Sequence, residues 1–342
     1  MILKQLVIQR FRGMMDVVLD DLAPITLVVG ANNAGKSSVL EAASLLLRPL
    51  DPAQWVQVAR QRDMDMPLAD GLWSLFPSGV PLDLDDGPKQ SRALRLTGQV
   101  ALASRDLQAS GLATLSWDAE ESGDVTLRIE ARINRQTVHD MVFRREAPAA
   151  YGRDVESYRC FTVTPATHRS TRALLEHLSK VVDEGRKQLA VDLLQLFDPE
   201  VQGLDVSAVR GRDGVRVTHA SRGVVDLASF GDGMRRSAAL ALALTRASGG
   251  LLLIDELEAG IHPRILPRVM TRLVEGAAEA DVQILASTHS LEACDAMMEA
   301  TREQVVDAAA YYLGLGPDHG HELRRYGKER IIEMREAGLD LR

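Results

Sequence analysis

The sequence predicts an α/β protein built on a central, mainly parallel sheet with flanking helices, carrying in addition an antiparallel β-subdomain and a short helical arm. Three observations predict it. Residues 25–29, ITLVV, form a continuous apolar run that ends at Gly30 and gives way to a helical segment, the pattern of a buried strand feeding a glycine loop. Residues 251–255, LLLID, repeat that pattern between helix-period stretches at 233–247 and 264–278. Between residues 92 and 144 the chain reads instead as a series of β-rich segments, the signature of an antiparallel unit.

Taken in order, residues 2–9 alternate loosely and run into the turn Phe11-Arg12-Gly13, with a second strand expected at 14–19. The helix after the glycine loop, Ser37 to Leu47, stops where Pro49 removes a backbone donor. Residues 50–90 read as irregular, rich in Asp, Pro and Gly, with Trp55, Trp73 and Phe76 as packing anchors. The β-rich segments lie at 92–103, 112–117, 124–133 and 137–144, and another strand, YRCFTVT, covers 158–164. From Thr171 to Phe197, Leu174, Leu175, Leu178, Val181, Val182, Leu189, Leu193 and Leu194 mark one helical face. Gly185 and Asp198-Pro199 keep this stretch short, and no heptad run extends it into a long coiled coil. Short strands near 203–210 and 214–219 lead into an α/β alternation: helix 233–247, strand 251–255, helix 264–278, strand 282–286, helix 290–298 and strand 308–313. The division expected is an N-terminal lobe at 1–170, the arm at 171–200 and a C-terminal lobe at 201–342.

Composition narrows the function classes. The 342 residues suit about two domains, and 46% hydrophobic with 26% charged residues is an ordinary globular balance. An aromatic share of 4% argues against a base-stacking surface, and a net charge of -8 against nonspecific nucleic-acid binding by the whole surface, leaving only a local basic patch open. Cys160 and Cys294 give neither a disulfide framework nor a metal-ligand spacing and read as buried thiols. The N-terminal MILKQLVIQRFRG reads as a strand rather than a secretory leader. The longest apolar stretch, 237–254, is broken by Arg246 and a glycine pair, so no membrane span and a cytoplasmic location are expected.

Four motifs carry chemistry. The first is GANNAGKS, Gly30 to Ser37, with Ser38 behind it. Its glycines let backbone N–H groups close round phosphates, and the helix N-terminus adds a favourable dipole. Asn32, Asn33, Ala34 and Gly35 would form the cradle, Lys36 would reach the β- and γ-phosphates of ATP, and the Ser37 hydroxyl would ligate Mg²⁺. The second is LLLIDE, which brings Asp255 to the Mg²⁺ side and places Glu256 next to it as a general base for water. Alone, an apolar strand with an acidic end is common; after a glycine loop of this type it is informative. The third is STHS, Ser287 to Ser290. A lone His289 is more often a packed core histidine, but a strand end 34 residues beyond Asp255 favours contact with a γ-phosphate. The fourth is ASFGDGMRR, Ala228 to Arg236, which reads either as a simple helix cap, with Ser229 or Asp232 capping, or as an anion nest.

This ordered set resembles the ABC ATPase branch of P-loop NTPases, and within it the RecF/SMC-like proteins and the ATPase part of OLD (overcoming lysogenisation defect) proteins. The resemblance spans FRGMMDVVLDDLAPITLVVGANNAGKSS, SFGDGMRR, LLLIDELEAGIHP, STHS and the ending GLDLR. It implies that Ser229, Gly231 and Asp232 meet the ATP held by a second subunit, so that two chains sandwich two nucleotides head to tail. It also implies that Glu258 to His262 lie at that interface and that Arg10 and Arg12 neighbour the nucleotide. The departures are specific. TPATHRS follows the strand at 158–164 without the glutamine expected there, leaving Thr164, Thr167, His168 or a water as stand-ins. The arm is too short for a DNA-tethering coiled coil, and the roughly fifty residues after His289 are too few for the TOPRIM nuclease domain of OLD proteins. The expectation is therefore an ATPase homodimer that gates a separate effector, a nuclease or similar, in anti-phage defence or DNA maintenance, with nucleic acid itself left open. The rivals are a transporter nucleotide-binding subunit, disfavoured by EAGIHP and by the β-insertion, and an ATP-dependent scaffold with slow turnover.

Overall fold

The computed structural model describes residues 1–62, 65–77, 89–100, 103–117, 123–134, 136–143, 148–149, 158–209, 212–316 and 320–340. Leu341 and Arg342 of the GLDLR ending, residues 78–88 of the irregular segment, and residues 101, 102 and 144 at the ends of the β-rich segments lie outside them.

The first half of the chain runs β1 (Leu3–Phe11), β2 (Met14–Leu19), β3 (Ile25–Val29), α1 (Lys36–Leu47), α2 (Pro52–Arg60) and α3 (Leu68–Trp73). It continues through β4 (Lys89–Val100), β5 (Ala103–Trp117), β6 (Gly123–Ile133), β7 (Gln136–Phe143), β8 (Pro148–Ala149) and β9 (Cys160–Val163). Helices α4 (Thr171–Asp183) and α5 (Gln188–Gln195) lead to β10 (Val201–Val209), β11 (Arg212–His219) and β12 (Gly223–Asp226). The last part holds α6 (Asp232–Arg246), β13 (Leu251–Ile254), α7 (Leu266–Glu279), β14 (Gln283–Thr288), α8 (Leu291–Glu303), β15 (Ala308–Leu315), β16 (His321–Gly327) and α9 (Lys328–Glu336).

Among the described residues the strands form three sheets. The central one has the order β16-β15-β3-β14-β13-β9, and all its neighbours pair in parallel except β15 with β16. Both of its faces are covered, which is why β3, β13 and β14 are buried at every position and read as unbroken apolar or small-residue runs. This sheet takes β3 and β9 from the first half of the chain and β13 to β16 from the last third, so each of the two core clusters draws residues from both halves. An antiparallel sheet, β2-β1-β4-β5-β6-β7-β8, makes the β-subdomain, and β10-β11-β12 form a smaller antiparallel unit. No helix among the described residues is long and apolar enough to cross a membrane.

Where leucine spacing predicts one helical stretch from 171 to 197, the structure has two helices. Gly185 adopts φ 68, a left-handed conformation that glycine tolerates and that ends α4. The apolar face of the pair, including Leu174, Leu178, Val181, Leu193 and Leu194, is buried in the same core as α6. The irregular reading of residues 50–90 likewise gives way to α2 and α3. Asp51 caps α2 by accepting the Ala53 N–H, and Pro52 sits in its first turn. The expected anchors Trp55, Trp73 and Phe76 are buried, with Phe76 ring centroids 6.4 Å from Trp55 and 6.1 Å from Trp73. Cys160 and Cys294 are buried free thiols, each pushed up to about 12 chiefly by burial.

One buried acid organises the junction of α1 with the β1–β2 turn. Arg12, at φ 52 in that turn, donates to Glu41 Oε2 at 2.6 Å, and Arg62 donates to Glu41 Oε1 at 3.0 Å. The Glu41 side chain is fully buried. Burial, the largest cause, lowers the Arg12 pKa, while Glu41 opposes that shift. Glu41→Ala leaves the Arg12 guanidinium buried without its carboxylate and is expected to destabilise the fold by about 3–5 kcal/mol. The urea midpoint of the variant measures this; an unchanged midpoint would mean the pair contributes nothing.

Candidate functional site

The glycine loop starts where β3 ends. A Cβ on Gly30, which has φ 153, would stand 2.1 Å from the Leu313 carbonyl oxygen of neighbouring β15, so no other residue fits there without moving a strand. Asn33 at φ 64 and Gly35 at φ 95 then turn the backbone into α1, whose first residue is Lys36. The helix therefore begins with its free N–H groups facing the loop, and the Gly35 cap contributes no side-chain bond of its own. Lys36 Nζ folds back onto the carbonyls of Gly30 at 2.9 Å and Ala31 at 2.8 Å. Burial lowers the pKa of its ammonium, and Asp255, Glu258 and Glu256 act against that shift.

Strand order decides what meets this loop. Because β14 lies between β3 and β13, the end of β14 is wedged between Lys36 and the acidic end of β13. Ser37 Oγ donates to Asp255 Oδ1 at 2.9 Å, and Ser287 Oγ donates to the same oxygen at 2.6 Å. Ser287 Oγ also accepts the Glu256 N–H at 2.9 Å. Glu256 itself sits at φ 49, a left-handed position that costs a non-glycine residue on the order of 1–3 kcal/mol. Its backbone is held there from the other side by Arg236 of α6, which donates to the carbonyls of Asp255 at 2.8 Å and Glu256 at 3.1 Å, and also to Thr164 O. Arg236 is fully buried, and burial brings its pKa down to about 10 against the pull of Asp255, Glu256 and Glu258.

The result is a cleft of about 290 Å³ lined by Asn32, Asn33, Gly35, Lys36, Ser37, Arg62, Asp255, Glu256, Ser287 and His289. Residues from four separate parts of the chain thus converge on one space. Of the other residues singled out from the sequence, Ala34 is buried behind the loop and Ser38 is buried beneath Arg62, whose guanidinium donates to its hydroxyl at 2.8 Å. Arg12 is not among the lining groups. It is spent on Glu41, on Ser74 Oγ at 3.0 Å and on Val58 O, and the arginine that reaches the cleft is Arg62. Nothing in the local sequence distinguishes Arg62 from other surface arginines; only the position of the segment after α2 brings it there.

Ser229 and Gly231 are exposed and lie outside this cleft, as does Asp232. Ser229 Oγ donates to Asp226 O at 2.7 Å, and a Cβ built on Gly231 would meet nothing within 4 Å. The segment is steadied by Phe230, which stacks on His219 at 6.4 Å and lies under the Arg222 guanidinium. Asp232 opens α6 and pairs with Arg235 and with Arg169 at 3.3 Å. The turn after β9 serves the same helix. Thr164 and Thr167 bond each other, and His168 is buried 3.7 Å from Asp232 Oδ1 with its pKa lowered by burial first and by Arg236 next. None of the three candidates for the missing glutamine, Thr164, Thr167 or His168, lines the cleft.

The donor set suits a Mg²⁺–nucleotide. Ser37 and Asp255 offer hard oxygen ligands side by side, which is all a Mg²⁺ needs when phosphate and water oxygens complete its shell. No cluster of three or more His, Cys, Asp or Glu that could hold a metal alone occurs among the described residues.

Comparison with known proteins gives the family and the fold. Residues 25–295 match the family model AAA_21, described as "AAA domain, putative AbiEii toxin, Type IV TA system". An uncharacterized protein of Methanocaldococcus jannaschii, MJECL11, is 32% identical over 115 residues, 33% of this chain and 99% of the relative. Two solved structures share the fold. One is the Smc head domain with an extended coiled coil bound to the C-terminal domain of ScpA, derived from Pyrococcus furiosus (TM-score 0.52, 12% identity, 98% of this chain and 99% of that one). The other is the SmcHead bound to the C-winged helix domain of ScpA (TM-score 0.51, 14% identity, 97% and 100%). At such identities the likeness speaks for the fold alone, which is that of the Smc heads.

Proposed function

The chain belongs to the AAA_21 family, and from that premise we propose that it binds ATP with Mg²⁺, hydrolyses it, and does so as a head-to-tail dimer that gates a partner effector. The observation that carries the reading is the convergence of Lys36, Ser37, Asp255, Glu256 and His289 on one cleft from three strand ends. Lys36 would exchange its two carbonyl contacts for phosphate oxygens. Ser37 and Asp255 would hold Mg²⁺, whose charge offsets that building on the phosphates during transfer. Glu256 would take a proton from the attacking water, and His289 would face the terminal phosphate. Asn32, Asn33, Gly35 and the N–H groups opening α1 would cradle the phosphate chain.

Dimerisation is supported by what the cleft lacks. Ser229 and Gly231 are exposed at a glycine-opened helix start with the half-buried Asp232 behind them, and all three lie outside their own chain's cleft. A second copy facing the first would bring that segment onto its nucleotide. The solved Smc heads are bound to a domain of a separate protein, ScpA, which favours a gated partner here too. The OLD-like assignment, the anti-phage or DNA-maintenance setting, the cytoplasmic location, and the division into lobes at 1–170 and 201–342 joined by 171–200 belong to the same proposal.

Ser229→Arg tests it. A protein that completes its site within one chain would keep its activity, because residue 229 touches nothing in the cleft. In the dimer a bulky cation would block closure, so nucleotide affinity should stay within about threefold while ATP-dependent dimerisation and turnover are lost. Mixing Ser229→Arg with Lys36→Ala should restore activity, one chain supplying the glycine loop and the other the signature. Wild-type turnover in Ser229→Arg alone would sink the dimer.

A further inference from the structure

Glu258 is absent from the cleft lining, yet its carboxylate is engaged at three points on the end of β14. Oε2 accepts the Thr288 hydroxyl at 2.7 Å, Oε1 accepts the His289 backbone N–H at 3.1 Å, and the same Oε1 lies 3.0 Å from His289 Nδ1. We infer that Glu258 is a positioning residue that fixes the tautomer and direction of the His289 ring, with the hydrogen on Nδ1 beside its carboxylate and Nε2 turned to the cleft.

The geometry supports this in two ways. A carboxylate carries no hydrogen, so a bare Nδ1 would set its lone pair against the negative charge 3.0 Å away; a hydrogen on Nδ1 removes that repulsion, and in the neutral ring it leaves Nε2 as an acceptor. Because Glu258 also accepts the Thr288 hydroxyl and the His289 backbone N–H, its carboxylate stays beside the ring for as long as those two bonds hold. The Glu258 backbone is held within its own turn, its carbonyl accepting the Ile261 N–H at 3.0 Å. What Nε2 meets in the cleft rests on the nucleotide reading above; the tautomer does not.

The experiment reads the two apart. In ¹⁵N-histidine-labelled, nucleotide-free protein, the His289 ring signals are assigned by their loss in His289→Ala, and the neutral tautomers are compared in wild type, E258Q and E258M. Wild type should hold the Nδ1–H form by on the order of tenfold or more, the effect of a carboxylate 3.0 Å from that nitrogen. E258Q, whose amide oxygen still accepts, should keep that form, and E258M, of similar length without an acceptor, should lose it. Binding of a non-hydrolysable ATP analogue against ADP is then measured. E258M should lose as much preference for the triphosphate as His289→Ala, and the double variant no more than either. A wild-type Nε2–H tautomer, the same tautomer in E258M, or additive losses would overturn the proposal. Equal ATP and ADP affinity in wild type would instead strike the nucleotide reading, with the tautomer spectrum unaffected.

Discussion

Lys36→Ala should remove measurable ATP binding, a loss of at least about a hundredfold. Lys36 carries a cation at the mouth of the loop, where its Nζ holds the carbonyls of Gly30 and Ala31. Each charge-assisted bond it makes to a phosphate is worth roughly 1.5–3 kcal/mol, so losing two of them removes about two or more orders of magnitude in affinity. The fold should survive, because α1 is a good helix sequence buried by Val39, Leu40, Ala43, Leu46 and Leu47, none of which touches Nζ. Calorimetric titration with Mg-ATP, beside a thermal melt, checks both halves. Normal affinity in a folded Lys36→Ala protein would remove the glycine loop from the site.

Glu256→Gln should bind ATP normally and hydrolyse it roughly 10²- to 10⁴-fold more slowly, the range for loss of a positioned base. The substitution is nearly isosteric, and the residue's left-handed backbone is held by Ser287 and Arg236 rather than by its own side chain, so the loop should not move. The variant should accumulate as an ATP-bound dimer, since the phosphate that closes the interface is not removed. Light scattering with saturating Mg-ATP distinguishes this from a monomer, and turnover near the wild-type rate would assign the base elsewhere.

Much of this was legible in the sequence because it is local. A buried strand feeding a glycine loop and a second apolar strand ending in Asp255-Glu256 are each contiguous, and their periodicity locates β3, α1, β13, β14 and α8 to within a few residues. What escaped was set by distant packing. The segment before Arg62 lacks periodicity because α2 is only nine residues long and buries Trp55 and Val58 on one side. The exposed β12, and β16 with α9 after it, carry little apolar alternation to announce them. Arg12 and Arg62 could not be ranked, because the partner that separates them, Glu41, is a helix residue that reads as surface until the fold buries it.

That same acid leaves one corner of the molecule electrically unbalanced. Glu41 brings one negative charge to two guanidiniums, and Arg62 is among the causes that lower the Arg12 pKa. Arg62 is the more exposed of the pair and opens on the cleft. The two guanidiniums repel each other across that single carboxylate. Polyanions relieve that repulsion and cations aggravate it. An anion that settles against Arg62 is favoured partly because it eases the repulsion between the two guanidiniums. Added phosphate or sulfate should therefore stiffen the α1–α2 region at concentrations where chloride does not.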